Sequence, residues 1–144
     1  MKKFIPFLLV IFLVACDKDK FETKPQIEID SYNTKTLPSN ASLIINLKFT
    51  DKEGDLGTGQ FTYIPIRLNR RGLPPSVPDY TPVDVPIPEF SDHNKGEFEL
   101  KLDWRNLHKS DRENDTIYLR FVAADREGNR SDTVDSDQLV ILSQ

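Results

Sequence analysis

From Glu97 to Trp104 the side chains alternate without a break. Phe98, Leu100, Leu102 and Trp104 are apolar, and Glu97, Glu99, Lys101 and Asp103 stand between them. Successive side chains point to opposite faces in an extended strand, so a period of two predicts a strand with one face in a core and one in water. The same period recurs along the chain. Ile27 and Ile29 alternate with Glu28 and Asp30; Leu43, Ile45, Leu47 and Phe49 share one face, with Ser42, Asn46 and Lys48 on the other. Ile64, Ile66 and Leu68 form a third set, in which Pro65 predicts an edge or a bulge because proline has no N–H for a ladder. Ile117, Leu119, Phe121 and Ala123 form another, and Leu139 to Leu142 close the pattern as an apolar run. No window carries a helical stripe, and 105–114 is the one stretch suited to a short helical turn. Strands with one polar face must pack their other face on a second layer. The expected fold is therefore all-β, an antiparallel β-sandwich of about seven strands spanning residues 26–144.

Composition closes off several classes of function. The 144 residues carry 19 Lys and Arg against 23 Asp and Glu, a net charge of -4, with no basic run to follow a phosphate backbone. Nucleic acid is therefore not an expected partner. A single cysteine excludes a disulfide framework and a cysteine-rich zinc site, and two histidines leave little for a histidine-built metal centre. The chain has no Gly-x-Ser-x-Gly elbow, no His-Glu-x-x-His, no P-loop and no dinucleotide fingerprint, so it is not expected to be an enzyme.

The amino terminus reads as an address. Lys2 and Lys3 precede an apolar run from Phe4 to Val14, broken only by Pro6. That run is shorter than the roughly 20 residues a membrane-spanning helix needs, and it suits the hydrophobic part of a secretory signal. Leu13-Val14-Ala15-Cys16 resembles the lipobox of bacterial lipoproteins. The resemblance implies cleavage before Cys16, whose thiol would carry a lipid that holds the protein to a membrane. The chain then divides into a leader (1–15), a lipidated cysteine with a charged tether (16–25) and a sandwich domain (26–144). Asp17 directly after the cysteine resembles an inner-membrane retention signal of enteric lipoproteins. The acidic residues Asp17 and Asp19 also resemble the surface-export signal of Bacteroidota lipoproteins. The body of the chain favours the second, and with it an outer-membrane or cell-surface location.

Two further resemblances concern the body. Leu119-Arg120-Phe121-Val122-Ala123-Ala124-Asp125-Arg126-Glu127-Gly128 is similar to the penultimate strand and following loop of fibronectin type III and related immunoglobulin-like domains. It implies a hairpin loop over 126–130 and a last strand over about 133–142. The family's corner tyrosine would fall at Ile117, whereas this chain has Tyr118. Phe49-Thr50-Asp51-Lys52-Glu53-Gly54-Asp55-Leu56-Gly57 resembles an acidic turn in small Bacteroidota lipoproteins, a group with no shared activity to carry over.

Asp51-x-Glu53-Gly54-Asp55 and Asp125-x-Glu127-Gly128-Asn129 share one frame, each after an apolar strand. Calcium takes six to eight oxygens on a bent backbone, so Asp51, Glu53, Asp55, Asp125 and Glu127 are candidate calcium ligands if the two loops meet. Asp, Asn and Gly also serve turn geometry alone, and that reading stays open. The segment from Gly72 to Phe90 holds Pro74, Pro75, Pro78, Pro82, Pro86 and Pro88. It reads either as a recognition loop displaying Tyr80 and Phe90 or as a long crossing whose prolines protect a sheet edge. Trp104 is a core side chain or a stacking platform for a ligand. Arg67, Arg70 and Arg71 read as a solvated strand end able to meet an acidic partner, and His93 and His108 as surface residues. The functional expectation is a non-catalytic, membrane-anchored sandwich that binds a partner or supports an envelope assembly. The alternatives are a glycan-binding accessory module using Tyr80 or Trp104, and a small hydrolase with paired carboxylates.

Overall fold

The computed structural model describes residues 24–144; the leader, Cys16 and the tether as far as residue 23 lie outside the described residues. The fold is all-β and sandwich-like, with nine strands in two sheets and one short helix among the described residues. The strands are β1 (Gln26–Tyr32), β2 (Thr36–Leu37), β3 (Ser42–Thr50), β4 (Gln60–Arg67), β5 (Val83–Pro86), β6 (Lys95–Asp103), β7 (Asp115–Ala124), β8 (Val134–Asp135) and β9 (Leu139–Ile141), with helix α1 (Trp104–Leu107) after β6. One sheet runs β1-β3-β6 and is antiparallel throughout. The other runs β2-β9-β7-β4-β5, with β8 pairing β7 beyond β9. Its single departure from antiparallel pairing is the two-residue contact of β2 with β9.

The long alternating runs become β3, β6 and β7, with the expected residues inside. Leu43, Ile45, Leu47 and Phe49 face Leu102, Leu100, Phe98 and Gly96 across the β3–β6 ladder. The expected helical turn is shorter and starts one residue earlier, at Trp104. The expected last strand is split into β8 and β9, because Ser136 leaves the ladder. Its Oγ accepts from the Leu119 N–H at 2.9 Å, and its N–H donates to the Leu119 carbonyl at 2.8 Å.

One face is inverted from the sequence reading. In β4 the inward residues are Phe61, Tyr63 and Pro65; Ile64 and Ile66 turn outward, and Leu68, 46 % exposed, lies past the strand. The segment carries bulky apolar residues at both parities, so its pattern cannot choose a face. The register with β7 chooses, setting Tyr63 opposite Phe121 and Pro65 opposite Leu119. Pro65 does sit on an open edge. The N–H and C=O of Leu119 are spent on Ser136, on the side away from β4, so the nitrogen of Pro65 also points away from β7. Only Gln60–Tyr63 of β4 is covered by β5, and Pro65 therefore costs no ladder bond.

The Pro-rich segment is the crossing from the second sheet to the first, and within it β5 forms an edge strand. Phe90 anchors its far end. The ring fills the space a Cβ on Gly96 would occupy, 2.4 Å from that position, and it packs 6.0 Å from the Phe49 ring. Only glycine at 96 leaves room for it.

Arg67 is buried, against the expectation of a solvated strand end. Its side chain is 9 % exposed and its Nε donates to Asp115 Oδ1 at 2.7 Å, while Nη2 reaches Glu113 at 2.9 Å. Asp115 is fully buried and its other oxygen accepts from the backbone N–H groups of Lys109 (2.7 Å) and Ser110 (2.9 Å). Burial opposes the guanidinium charge, but the bonds to Asp115 and Glu113 outweigh it and hold the proton more firmly than usual. Removing one member of such a pair strands the other in low dielectric. Arg67→Ala and Asp115→Ala are each expected to cost about 3–5 kcal/mol in urea unfolding, with the double variant costing much less than the sum.

Candidate functional site

The ladders give the sandwich two distinct ends. Gln26, Thr50, Lys95, Gln60 and Ala124 lie at the end where the chain enters β1, the end the expected tether would join; Ser42, Asp103, Arg67 and Asp115 lie at the other. Lys24, the first described residue, stays at the tether end, 3.8 Å from Asp132.

The two acidic loops meet at the tether end. The Arg126 N–H and Nε both approach the Asp55 carbonyl at 3.4 Å, which ties the second loop to the first. Within the first loop, Asp51 is buried and accepts from the N–H of Glu53 (3.2 Å) and of Asp55 (3.1 Å), with Gly54 at φ 74 completing the turn. In the second, Asp125 is buried and accepts from the N–H and Nδ2 of Asn129 at 2.8 and 2.9 Å. Both loops therefore do what turn geometry asks of Asp and Gly.

Carboxylate oxygens of Glu53, Asp55 and Asp125 nevertheless lie within 4.8 Å of one another. These three are the residues of the five that could jointly hold a hard cation. Asp51 lies against Asp55 with both oxygens engaged by backbone, and the exposed Glu127 does not belong to the group. One Asp55 oxygen is buried with no hydrogen-bond partner. Burial first, then the side-chain contact with Asp51 and the charges of Asp125 and Asp51, push the Asp55 carboxyl up from 3.8 to about 6. A proton on Asp55 relieves the crowding and supplies a donor toward Asp51.

The aromatic candidates point inward. Trp104 is 6 % exposed, and its Nε1 donates to the Leu142 carbonyl at 2.8 Å, so the indole is part of the core. His108 stacks on it at 4.2 Å with its Nε2 buried, and it is not the surface residue expected; His93 is exposed. Tyr80 is half-buried and its hydroxyl donates to the Leu107 carbonyl; burial drives the phenol well above its usual range. Lys109 Nζ lies 5.0 Å over its ring. Tyr80 and Phe90 thus pin the Pro-rich crossing rather than decorate it. The crossing lines two grooves: one of about 480 Å³, in which Tyr80, Thr81 and Val83 face Arg105 and Lys109, and one of about 410 Å³ at the end away from the tether, lined by Arg70, Arg71, Pro74, Pro75 and Asp79 among others. The sequence reading singled out the arginines without linking them to this groove. The signal was their position directly before the first prolines.

No protein-family model matches the chain, and no curated protein sequence does. Solved structures align with it distantly. A β-glucosidase from Listeria innocua in complex with gluconolactone aligns at 9% identity and a TM-score of 0.43, over 83% of this chain and 16% of its own. The soluble domain of PmoD from Methylocystis sp. ATCC 49242 (Rockwell) aligns at 12% identity and a TM-score of 0.36, over 81% of this chain and 89% of its own. The chain thus spans a small fraction of the β-glucosidase. The sandwich itself rests on the strand order and pairing of this chain.

Two outcomes follow for this site. Because the folded chain binds the Asp55 proton more tightly than the unfolded chain, its stabilisation is complete below pH 3.8 and is lost as pH rises through about 6. The melting temperature of Asp55→Asn should therefore exceed that of the parent at pH 7, and the gap should narrow as pH falls through about 6 and close only below pH 3.8. A cation that replaces the proton would remove the same penalty, so the parent measured at pH 7 in millimolar calcium and in chelator separates the metal from the turn. Tyr80→Phe, which leaves the Leu107 carbonyl without its donor, should cost about 1–3 kcal/mol.

Proposed function

We propose that this chain is a lipid-anchored, non-catalytic envelope protein of the Bacteroidota lipoprotein type. In this reading it is an immunoglobulin-like sandwich that presents its tether-distal end to a protein partner at the outer membrane or cell surface. The observation that carries the reading is the polarity of the domain. The tether enters β1 at Gln26, beside the acidic loops, while the groove of Arg70, Arg71 and the first prolines lies at the opposite end. Strands of nine or ten residues separate the two ends by about 30 Å. An anchor at one end and an exposed basic, proline-edged groove at the other suit a device that holds one surface clear of a membrane. Prolines cost little entropy to order on binding, and two exposed arginines favour a partner segment bearing carboxylates. The glycan-binding alternative has less support, because Trp104 and Tyr80, the rings it would use, are committed to internal contacts.

The test is made on the full chain in its own cells. Cys16→Ala should move the protein from the membrane fraction to the soluble one and abolish incorporation of labelled fatty acid. Protease added to intact cells should cut the anchored domain. A Cys16→Ala protein that stays with the membrane would end the lipoprotein reading, and a domain cut only after the outer membrane is opened would end the surface one.

A further inference from the structure

A sheet edge is a row of unpaired N–H and C=O groups, and proteins usually blunt it. Four strands end the two sheet paths among the described residues, and three of them are blunted. In β1 the register with β3 shifts between Ile29 and Ser31, a bulge; β5 has four residues ending in Pro86; β2 has two residues. The fourth edge, β6, differs. It is nine residues long, contains no proline, and keeps one unbroken register with β3 from Lys95 to Asp103.

The phase of that ladder says which groups are free. The Trp104 N–H donates to Ala41 at 3.0 Å and the Asp51 N–H donates to Asn94 at 2.8 Å, bracketing the strand with even-numbered β6 residues bonded to β3. In an antiparallel pair the bonded residues alternate, so the main-chain groups of Lys95, Glu97, Glu99, Lys101 and Asp103 point to the open edge. All five side chains are exposed.

We infer that β6 is a self-association edge, through which two copies of this chain pair antiparallel about a two-fold axis at Glu99 to form one continuous six-stranded sheet. Charge selects both the occupant and the register. Centred on Glu99, the pairing sets Glu97 opposite Lys101 of the second copy and Lys95 opposite Asp103, each twice by symmetry. The one like-charged contact is Glu99 with its own mate. Centring one residue earlier opposes Glu97 to Glu99 and Lys95 to Lys101. Centring one residue later sets Glu99 opposite Lys101 but opposes Glu97 to Asp103, so its attractive and repulsive pairs are equal in number. Opposite charges directly across a ladder stabilise and like charges destabilise, so a single register is favoured. The same pairing extends the inward row of Phe98, Leu100 and Leu102 toward its counterpart, and Phe98 is the residue of that row left half-buried in the single chain. The two tethers leave such a pair at opposite ends. A pair anchored in one membrane therefore lies along it, while a single chain stands upright.

The full chain in detergent tests this by disulfide cross-linking. Residues across a bonded pair have Cα atoms about 5.5 Å apart, within disulfide range, whereas two copies of residue 97 would stand four residues apart along the ladder. Chains carrying Glu97→Cys mixed with chains carrying Lys101→Cys should give at least tenfold more cross-linked dimer than either alone, over the background set by Cys16 in the unsubstituted chain. Glu99→Pro in both should return the mixture to background. That proline faces the open edge as Pro65 does in β4, so the fold is expected to survive it, as circular dichroism will show. Sedimentation gives a second readout that needs no proline: Glu97→Lys should weaken association at least tenfold, and Glu97→Lys with Lys101→Glu should restore it. Cross-linking equal in mixed and single samples, cross-linking indifferent to Glu99→Pro, or a monomer from micromolar to millimolar concentration would each overturn the inference.

Discussion

Phe61 is the contact on which the two layers depend. It belongs to the five-strand path of the larger sheet, and it meets rings from both sides of the interface. Phe121 stacks beside it at 5.5 Å within its own sheet, while Phe49 and Phe98 of the smaller sheet approach it edge-on at 6.0 and 5.3 Å. Edge-to-face aromatic pairs add directional attraction to the burial of large apolar area, so this cluster fixes sheet separation and lateral registry together. Phe90 extends it to the Pro-rich crossing through Phe49. A segment too rich in proline to be held by a ladder is thus held by one ring, in the space that glycine leaves at 96.

The ends of the sandwich are organised by charge, each in its own way. At the distal end Arg67 neutralises a fully buried aspartate, and Asp115 in turn caps backbone donors of the loop after α1. At the tether end carboxylate oxygens of Glu53, Asp55 and Asp125 gather within 4.8 Å of one another. One end therefore holds its strands by satisfied charge. The other stores repulsion that a proton, or a divalent cation, would relieve. Loops that carry such stored repulsion are the parts of a domain whose stability responds most to solution conditions.

The β-sandwich was legible because its signal is local. Glu97 to Trp104 alternates cleanly, and in β3 and β7 one parity is apolar throughout its central part while the other includes Asn46, Lys48, Thr116 and Arg120, which favours one choice of face. The same logic fails in β4. Tyr63, Ile64, Pro65 and Ile66 offer bulk at both parities, and the choice passes to pairing with β7. It fails again for the aromatic candidates. Tyr80 sits among prolines in a polar stretch and reads as displayed, yet its hydroxyl finds the Leu107 carbonyl, 27 residues on.

By itself, then, the sequence determined the layer architecture, the inward faces of β3, β6 and β7, and that Pro65 falls at an edge or a bulge. Each follows from residues within a few positions of one another. Only the tertiary structure decided that Glu53 and Asp55 would meet Asp125, that Arg67 would be buried against Asp115, and that β6 would be a long edge strand with neither bulge nor proline. Those outcomes depend on strand order and register across 40 to 70 residues. They are set by how two whole sheets pack, which no local period encodes.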